Sequence, residues 1–410
     1  MQVRRTLTLD LARSVPHGVI MTAGTTFTIL IANKVFQAPD WAKAMLLAAS
    51  PVGMLLGFFS VAFVRRSGWT INRVLFLFCL IESLAFVLAA SSGWGTEAPR
   101  LTPYVAGMFT AFLSMALSVP LLTQIYRKQY PTEKRGQLFS FSAMLRAGAS
   151  ILAAVFLGKY LDADLQRFDE LILLYAGSAL VMAFCALGMG TTRLPEMRRA
   201  KLFEAFSHVS TDKPFLKLLG SWMILGFGNL FAFALFVEAL TNPIYGYSYD
   251  TDDSTFITTL IPQVAFILCV FHWGRLFDKW NFYFLRTCIN LVFIAGVVIY
   301  YCVGGWWGLV IGIALHGIAR SGGNVAWSLW TTKFATPDRV ADYMSIHTFC
   351  TGIRGTIAPF IAFALASRLS LPVAGAISAG LMGIATLMIL PDVRLAQAKR
   401  KSEMLEVPKD

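Results

Sequence analysis

The sequence predicts an all-α integral membrane protein with twelve transmembrane helices in two bundles of six. Two observations predict the multi-pass helical class, and the order of the spans described below predicts two sets of six. Of the 410 residues, 56% are hydrophobic and only 14% are charged, whereas soluble proteins carry about 25% charged residues. Apolar runs of about 20 residues, long enough to cross a bilayer as helices, recur along the whole chain. A multi-pass membrane protein is therefore expected rather than a set of soluble domains.

The distribution of basic residues predicts the orientation in the membrane. The formal net charge is +12, from 35 Lys and Arg against 23 Asp and Glu. Most of the Lys and Arg lie in the two tails and in the loops on one side of the predicted spans. This is the positive-inside pattern, and it places both termini in the cytoplasm. The basic balance therefore reflects topology, and no nucleic-acid partner is expected.

The first six spans are predicted from apolar runs separated by charged or Gly/Pro-bearing links. They are 15–36, 41–64, 74–90, 104–126, 137–161 and 171–190. The basic opening of the chain leads into a long apolar run without a clear cleavage site, which indicates a retained first helix. Residues 1–190 thus form the predicted N-terminal six-helix bundle.

A long polar and basic segment, 191–215, interrupts the succession of spans and is the predicted cytoplasmic linker. Within it Leu202, Phe203, Phe206 and Val209 share one helical face, which favours a short amphipathic helix on the membrane surface. The second six spans follow at 216–240, 255–273, 283–303, 308–334, 341–369 and 372–390. They define a C-terminal bundle, 216–391, and a charged cytoplasmic tail, 392–410.

Spans 10 and 11 each carry an arginine near the middle of an apolar run. On span 10, His316, Arg320, Asn324 and Trp327 are spaced by four, four and three residues, so they share one helical face. On span 11, His347, Thr351 and Arg354 form a second such stripe. A charge at the bilayer centre costs about 2.5–3.5 kcal/mol on translocon scales, so these groups are expected to face protein, water or a ligand.

Other polar side chains also fall inside spans, among them Gln124, Arg146 and Asn229. Arginine keeps its charge when buried and binds carboxylate or phosphate through two parallel hydrogen bonds. Arg146, Arg320 and Arg354 therefore predict a positive site for an anionic substrate. The expected substrate-binding set is Arg320, Arg354, Arg146, Asn324, His316, Trp327, Thr351, Asn229 and Gln124.

Each of these residues also has a structural interpretation. An intramembrane arginine can bind backbone carbonyls or a buried acid, and Glu82 in span 3 could pair with Arg146. Glu82, His316 and His347 are candidates for proton coupling, although a buried histidine is more often a packing residue. Trp327 fits packing as well as stacking on a ligand, and Arg13 is expected to extend its charge toward the inner interface.

The layout of six spans, an inner loop and six spans resembles the major facilitator superfamily, and local motifs strengthen the resemblance. Between spans 8 and 9, residues 274–281 read GRLFDKWN, which is similar to the family's loop signature. The resemblance implies a conformational latch there, at Gly274, Asp278 and Lys279.

The corresponding loop in the first half, residues 65–68, reads RRSG. It keeps a basic residue and a glycine, assigned to the latch as Arg66 and Gly68, but has arginine where the family has aspartate. This half of the latch therefore needs another acidic partner. The turn from Tyr126 to Gly136 is similar to the family's turn between spans 4 and 5.

The resemblance implies two bundles that rock around a midplane cavity lined mainly by spans 1, 4, 7 and 10. The predicted function is secondary active transport of a small organic anion, a carboxylate or phosphate ester, by proton symport or anion exchange. One alternative is a proton-coupled exporter of hydrophobic or cationic compounds. Another, from a different class, is a non-transporting membrane receptor or scaffold.

No enzyme motif is found in the sequence. A Walker loop, a metal-ligand spacing and a nucleophile–base arrangement are all absent, so no catalytic residue, metal or cofactor is expected. The six cysteines all fall within apolar runs. The expected partners are a small-molecule substrate and the lipid bilayer. The expected location is the cell inner membrane, where the chain would be a multi-pass monomer.

Overall fold

The computed structural model describes residues 2–95, 99–194, 211–241, 256–366 and 369–406. Helices account for nearly all of these residues, and no strand occurs among them. The first nine helices are α1 (Gln2–Thr22), α2 (Thr28–Lys34), α3 (Asp40–Leu55), α4 (Gly57–Ser67), α5 (Ile71–Ala90), α6 (Leu101–Leu117), α7 (Val119–Gln129), α8 (Arg135–Ala163) and α9 (Phe168–Gly188). The others are α10 (Lys213–Thr241), α11 (Ile261–Lys279), α12 (Phe282–Val298), α13 (Gly305–Leu329), α14 (Thr331–Phe334), α15 (Val340–Ala366) and α16 (Leu371–Glu406).

The chain divides into two compact units. The first unit contains Met1–Val209 together with Phe334–Ile353, and the second contains Ser210–Lys333 together with Arg354–Asp410. Helix α15 thus contributes residues to both units. The predicted amphipathic helix of the linker, with Leu202, Phe203, Phe206 and Val209, lies outside the described residues.

In the first unit, α5 packs against α6 and α9, α1 packs against α8 and α9, and α3 packs against α6. Small residues allow the close approach of α5 and α6. A Cβ on Gly107 would meet the Ala85 carbonyl and the Ala89 backbone at 2.4 and 2.5 Å. Intramembrane helices pack mainly by such van der Waals contact, so this position requires glycine.

In the second unit, α11 packs against α13, α10 against α16, and α12 against both α13 and α16. Gly317 of α13 has the same role as Gly107, because a Cβ there would lie 2.5 Å from the Pro262 carbonyl of α11. These contacts fix α10, α12 and α13 relative to one another. They therefore set the positions of the polar side chains that these helices carry.

Seven helical segments among the described residues are long and apolar enough to cross a membrane. They are Ile71–Gly93, Leu101–Gln129, Thr132–Leu161, Leu165–Gly188, Lys213–Phe233, Phe282–Val303 and Leu371–Leu395. A bent pair, Met45–Leu55 with Gly57–Ser67, makes an eighth if it is one span; its bend is 46°. The prediction of a multi-pass helical membrane protein is confirmed, while the number of spans and the side of the termini stay predictions.

The turn between α7 and α8 is closed by a buried arginine. Arg135 donates hydrogen bonds from Nε to the Tyr126 carbonyl at 3.3 Å and from Nη2 to the Arg127 and Tyr130 carbonyls at 3.3 and 3.2 Å. Carbonyls at a helix C-terminus lack partners within the helix and carry partial negative charge, which a guanidinium compensates. This contact gives a physical reason for an arginine in the turn from Tyr126 to Gly136.

The expected orientation of Arg13 toward the inner interface is wrong. This residue does not extend to the inner interface, because its side chain is buried and its Nη2 donates to Asp10 Oδ1 at 2.9 Å. Asp10 also accepts hydrogen bonds from the hydroxyls of Tyr126, Tyr130 and Ser142 at 3.2, 3.0 and 2.6 Å. A buried ion pair persists when hydrogen bonds satisfy its remaining lone pairs, and this network supplies them. The polar cluster therefore joins α1, α7 and α8.

Candidate anion-binding site

The second unit contains a cavity of about 190 Å³ between α10, α12, α13 and α15. Its lining includes three arginines (Arg286, Arg320 and Arg354), two asparagines (Asn229 and Asn324) and three aromatic residues (Trp222, Phe293 and Trp327). The remaining lining residues are Leu225, Gly226 and Gly323. Drug-sized ligands occupy pockets of roughly 300–1,000 Å³, so this cavity suits a small ligand or the head group of a larger one.

Arg354 is held in place by the backbone of α10. Its Nη1 donates a hydrogen bond to the Trp222 carbonyl at 2.7 Å. The guanidinium lies directly against Gly226, where an added Cβ would collide with it. Gly226 therefore provides the space that allows Arg354 to reach the backbone of α10.

Arg286 lies in the second turn of α12 and is 3% exposed. Its guanidinium carbon is 3.7 Å from the centre of the Trp222 ring, which is a close cation–π contact. Its Nη1 atom is buried and has no hydrogen-bond partner among the described residues. Trp222 thus positions two arginines, Arg354 through its carbonyl and Arg286 through its ring, and Arg286 keeps an unused donor.

Arg320 lies on α13 and is fixed from α11. Its Nη2 donates to Gln263 Oε1 at 2.6 Å, and its guanidinium carbon is 5.6 Å from the ring centre of Phe266. The partner is a neutral amide, so the full positive charge of Arg320 remains uncompensated by this contact. Arg320 can therefore be fixed to a neighbouring helix and still bind an anionic ligand.

The cavity has a strong excess of positive charge. Three guanidinium groups contribute to its lining, and no carboxylate is found among the lining residues that the structure describes. Taking a charge out of water costs several kcal/mol unless an opposite charge or hydrogen bonds compensate it. An anion bound in this cavity would supply that compensation, and a cation would increase the cost.

The structure brings together five residues of the predicted substrate-binding set: Asn229, Arg320, Asn324, Trp327 and Arg354. His316 shares their helix but does not line the cavity. It is buried between aromatic rings, with its ring centre 4.9 Å from that of Phe236 and 5.3 Å from that of Phe293. These contacts favour the packing interpretation of His316.

The other predicted residues belong to the first unit and do not line this cavity. His347 is fully buried, and Thr351 is half-buried. Arg146 Nη1 lies 3.5 Å from His17 Nδ1; none of its ion pairs or hydrogen bonds in the described part of the chain involves Glu82. Glu82 is buried, and its Oε1 has no hydrogen-bond partner among the described residues.

Gln124 has a structural role at the start of α15. Its Nε2 donates to the Pro337 carbonyl at 2.6 Å, and its Oε1 accepts from the Ala341 amide at 3.0 Å. Both ends of the side-chain amide are therefore used by backbone groups. The sequence predicted Gln124 to bind substrate, because an amide side chain inside an apolar run looks the same whether it binds substrate or backbone groups.

Sequence reasoning missed Arg286. The cavity was expected to be lined mainly by spans 1, 4, 7 and 10, yet α12, which belongs to predicted span 9, carries Arg286 into the lining. The available signal was an arginine within an apolar run, the same signal that identified Arg320 and Arg354. Because Arg286 is near the start of the run, it resembles an arginine at the membrane interface. Only its contact with Trp222 shows that it belongs to the cavity instead.

In the first-half loop, Arg65 pairs with an acidic residue of α15. Arg65 Nη2 donates to Asp342 Oδ2 at 2.6 Å, and both side chains are 6% exposed. It also donates to the Asp338 carbonyl at 3.3 Å. The buried ion pair thus involves Arg65, whereas Arg66 is exposed. We use the name α15 tie for the side chains of Arg65, Gln124 and Asp342 together with the Pro337 and Asp338 carbonyls.

The remaining predicted latch residues lie at helix ends or helix contacts. Gly68 follows α4 with φ +66°, a left-handed conformation that glycine adopts without steric cost and that commonly ends helices. Gly274 is buried within α11, Asp278 is half-buried in its last turn, and Lys279 is exposed at its end. Their role in a latch stays a prediction.

Gly226→Ala tests whether the position of Arg354 matters as well as its charge. The added methyl group would displace the guanidinium from the Trp222 carbonyl, so one hydrogen bond to a charged group is lost, worth about 1.5–3 kcal/mol. We expect the affinity for an organic anion to fall about tenfold or more, measured by isothermal calorimetry on purified protein. Gly220→Ala, on the same helix with open space around its Cβ, should leave the affinity unchanged. Equal affinities in both variants would contradict this role of Gly226.

The structure resembles those of several solved transporters. It superimposes on the E. coli fucose:proton symporter FucP with a TM-score of 0.77 at 11% identity, covering 95% of this chain and 98% of that one. The human organic anion transporter MFSD10 gives 0.73 at 13% identity, covering 95% of this chain and all of that one. The proton:xylose symporter XylE gives 0.67 at 14% identity, covering 96% of both chains.

The sequence of the second half gives a separate match, because residues 256–408 fit the model of the Major Facilitator Superfamily. The suspected resemblance is confirmed: the chain has the major facilitator fold. No curated protein sequence matches the chain. The matched family and the similar structures are transporters rather than enzymes, in agreement with the prediction for this chain. The matches do not distinguish a subfamily within the major facilitator fold.

Proposed function

We propose that the protein is a secondary active transporter that moves small organic anions across the inner membrane by alternating access. The observation that carries this proposal is the cavity of the second unit, where Arg286, Arg320 and Arg354 contribute to a lining without a described carboxylate. Guanidinium groups bind carboxylate and phosphate with two parallel, charge-assisted hydrogen bonds. The major facilitator fold, which FucP and XylE share, supports the transport mechanism.

Substrate binding would act on the conformational equilibrium through the arginines. A ligand shifts such an equilibrium only by its difference in affinity for the two states. An anion that contacts all three guanidinium groups at once stabilises the state in which they converge, because the negative charge is attracted to all three. The α15 tie is a second element of the proposed cycle, because it holds the part of α15 that belongs to the first unit, while the same helix carries Arg354 in the second unit.

The test is flux into proteoliposomes that contain the purified protein. Radiolabelled dicarboxylates and phosphate monoesters should accumulate faster than in empty liposomes, and unlabelled anion on the other side should accelerate exchange. Protein-dependent flux of an amine or a neutral hydrophobic dye, without flux of any anion, would instead favour the alternative of a cation or drug exporter. Specific binding without any flux would favour the receptor or scaffold alternative.

Glu82 is the proposed proton-coupling residue, ahead of His316 and His347. A buried carboxyl with an unpartnered oxygen is best accommodated in its neutral form, so it can accept a proton in one state and release it in another. We expect Glu82→Gln to abolish the stimulation of uptake by an inward proton gradient, while exchange of anion for anion continues. His316→Gln should keep the stimulation, because that ring is packed among aromatic residues. Stimulation of normal size in Glu82→Gln would assign the coupling elsewhere.

A further inference from the structure

We propose that the anions recognised by this cavity carry hydroxyl groups, and that Asn229 and Asn324 bind these hydroxyls through hydrogen bonds. This inference rests on the proposed anion site and specifies the class of its substrate. The chemical class is a hydroxylated carboxylate or phosphate, such as a hydroxy acid, a sugar acid or a polyol phosphate. The arginines would bind the charged group and the two asparagines the neighbouring hydroxyls.

The first observation concerns the two side-chain amides. Asn229 on α10 and Asn324 on α13 both line the cavity, and the Oδ1 atom of each is buried with no hydrogen-bond partner in the described part of the chain. Buried polar atoms are almost always hydrogen-bonded, and leaving one unsatisfied is unfavourable. Two unused amide acceptors in one cavity therefore indicate a ligand that brings hydrogen-bond donors.

The second observation excludes the most common charged donor. An ammonium group would satisfy an amide oxygen, but the cavity offers three guanidinium groups and no described carboxylate to balance it. A hydroxyl carries no charge and both donates and accepts, so it satisfies a side-chain amide in either orientation of that amide. The donors expected next to the anionic group are hydroxyls.

The remaining lining agrees with this class of ligand. Trp222, Phe293 and Trp327 present apolar ring surfaces beside the polar groups, which suits the C–H faces of a hydroxylated carbon chain. At about 190 Å³ the cavity holds roughly six water molecules at about 30 Å³ each. The part of the substrate that this unit binds is therefore a few carbons long.

The experiment compares matched pairs of anions that differ only in hydroxyl groups. Tartrate with succinate, and glycerol 3-phosphate with propyl phosphate, are titrated into the purified full-length protein in nanodiscs, and binding is measured calorimetrically. The wild-type protein should prefer the hydroxylated member of at least one pair by about tenfold or more, since a site built to bond a hydroxyl discriminates against its absence. In Asn229→Leu and Asn324→Leu the ratio of the two affinities should fall toward one.

The ratio of the two affinities within one variant is insensitive to partial loss of folded protein, so a poorly folding variant does not obscure the result. Equal binding of both members by the wild type would overturn the hydroxyl inference and leave the anion site intact. A preference that survives in both leucine variants and in their double mutant would also overturn it. Failure to bind any of the four anions would remove the proposed function itself and the inference with it.

Discussion

Arg286→Gln, Arg320→Gln and Arg354→Gln should each weaken anion binding about 30-fold or more and abolish measurable transport. Removing one partner of a buried, hydrogen-bonded charge pair costs about 2–5 kcal/mol, and 1.4 kcal/mol corresponds to a factor of ten. All three guanidinium groups contribute to the lining of one cavity, so each is expected to contact the anion. Calorimetry and proteoliposome flux measure the two effects.

The stability of the ligand-free variants separates this role from a structural one. A lining with three arginines and no carboxylate among its described residues costs desolvation energy in the empty protein, a cost that functional sites commonly impose. The melting temperature without ligand should therefore be unchanged or higher in Arg286→Gln, and the increase caused by anion should disappear. A lower melting temperature together with normal flux would show that the arginines are structural. Arg275→Gln removes an exposed arginine of the same unit and should change neither quantity.

Breaking the α15 tie should have the second large effect. Asp342→Asn leaves Arg65 buried without its charged partner, and breaking a buried ion pair from one side costs about 3–5 kcal/mol. We expect a strongly reduced transport rate and a lower melting temperature, with anion affinity changed far less, because Asp342 belongs to the first unit and does not line the cavity. Transport assays and thermal melts on the same preparation give both values.

The exchanged pair is the control for the tie. Arg65→Asp combined with Asp342→Arg restores opposite charges at the same two positions, and it should recover part of the stability and rate that each single substitution loses. Additive losses in the double variant would show that the two residues do not interact through their charges. Arg73→Gln, which changes an exposed arginine of the same unit, should behave like the wild type in both assays.

The membrane class could be predicted from the sequence because its physical cause is local. A bilayer has no water to satisfy backbone groups, so any spanning segment must be a long apolar helix, and such runs are visible residue by residue. The same constraint makes Arg320 and Arg354 conspicuous, since charge inside an apolar run is rare and costly. Spacing along one helix placed His316, Arg320, Asn324 and Trp327 on a common face, and all of these except His316 line the cavity.

Contacts between distant parts of the chain could not be predicted in the same way. Arg65 and Asp342 are 277 positions apart, and Gln124 and Pro337 are 213 apart. A buried amide or arginine appears identical in sequence whether its partner is a ligand, a carbonyl or an acid. Gln124 was therefore assigned to substrate and Arg66 to the latch, while the structure gives backbone partners to Gln124 and the buried ion pair to Arg65.

The sequence by itself determined that this chain is a multi-pass helical membrane protein resembling the major facilitator superfamily, with arginines in apolar runs. Only the tertiary structure decided which of those arginines share a cavity, that Arg286 is one of them, and that Asn229 and Asn324 have unused hydrogen-bond acceptors there. The physical reason is that helix formation in a bilayer depends on neighbouring residues, whereas a binding site depends on which helix faces meet. That meeting is decided by small residues such as Gly226 and Gly317, whose role appears only when the helices are packed.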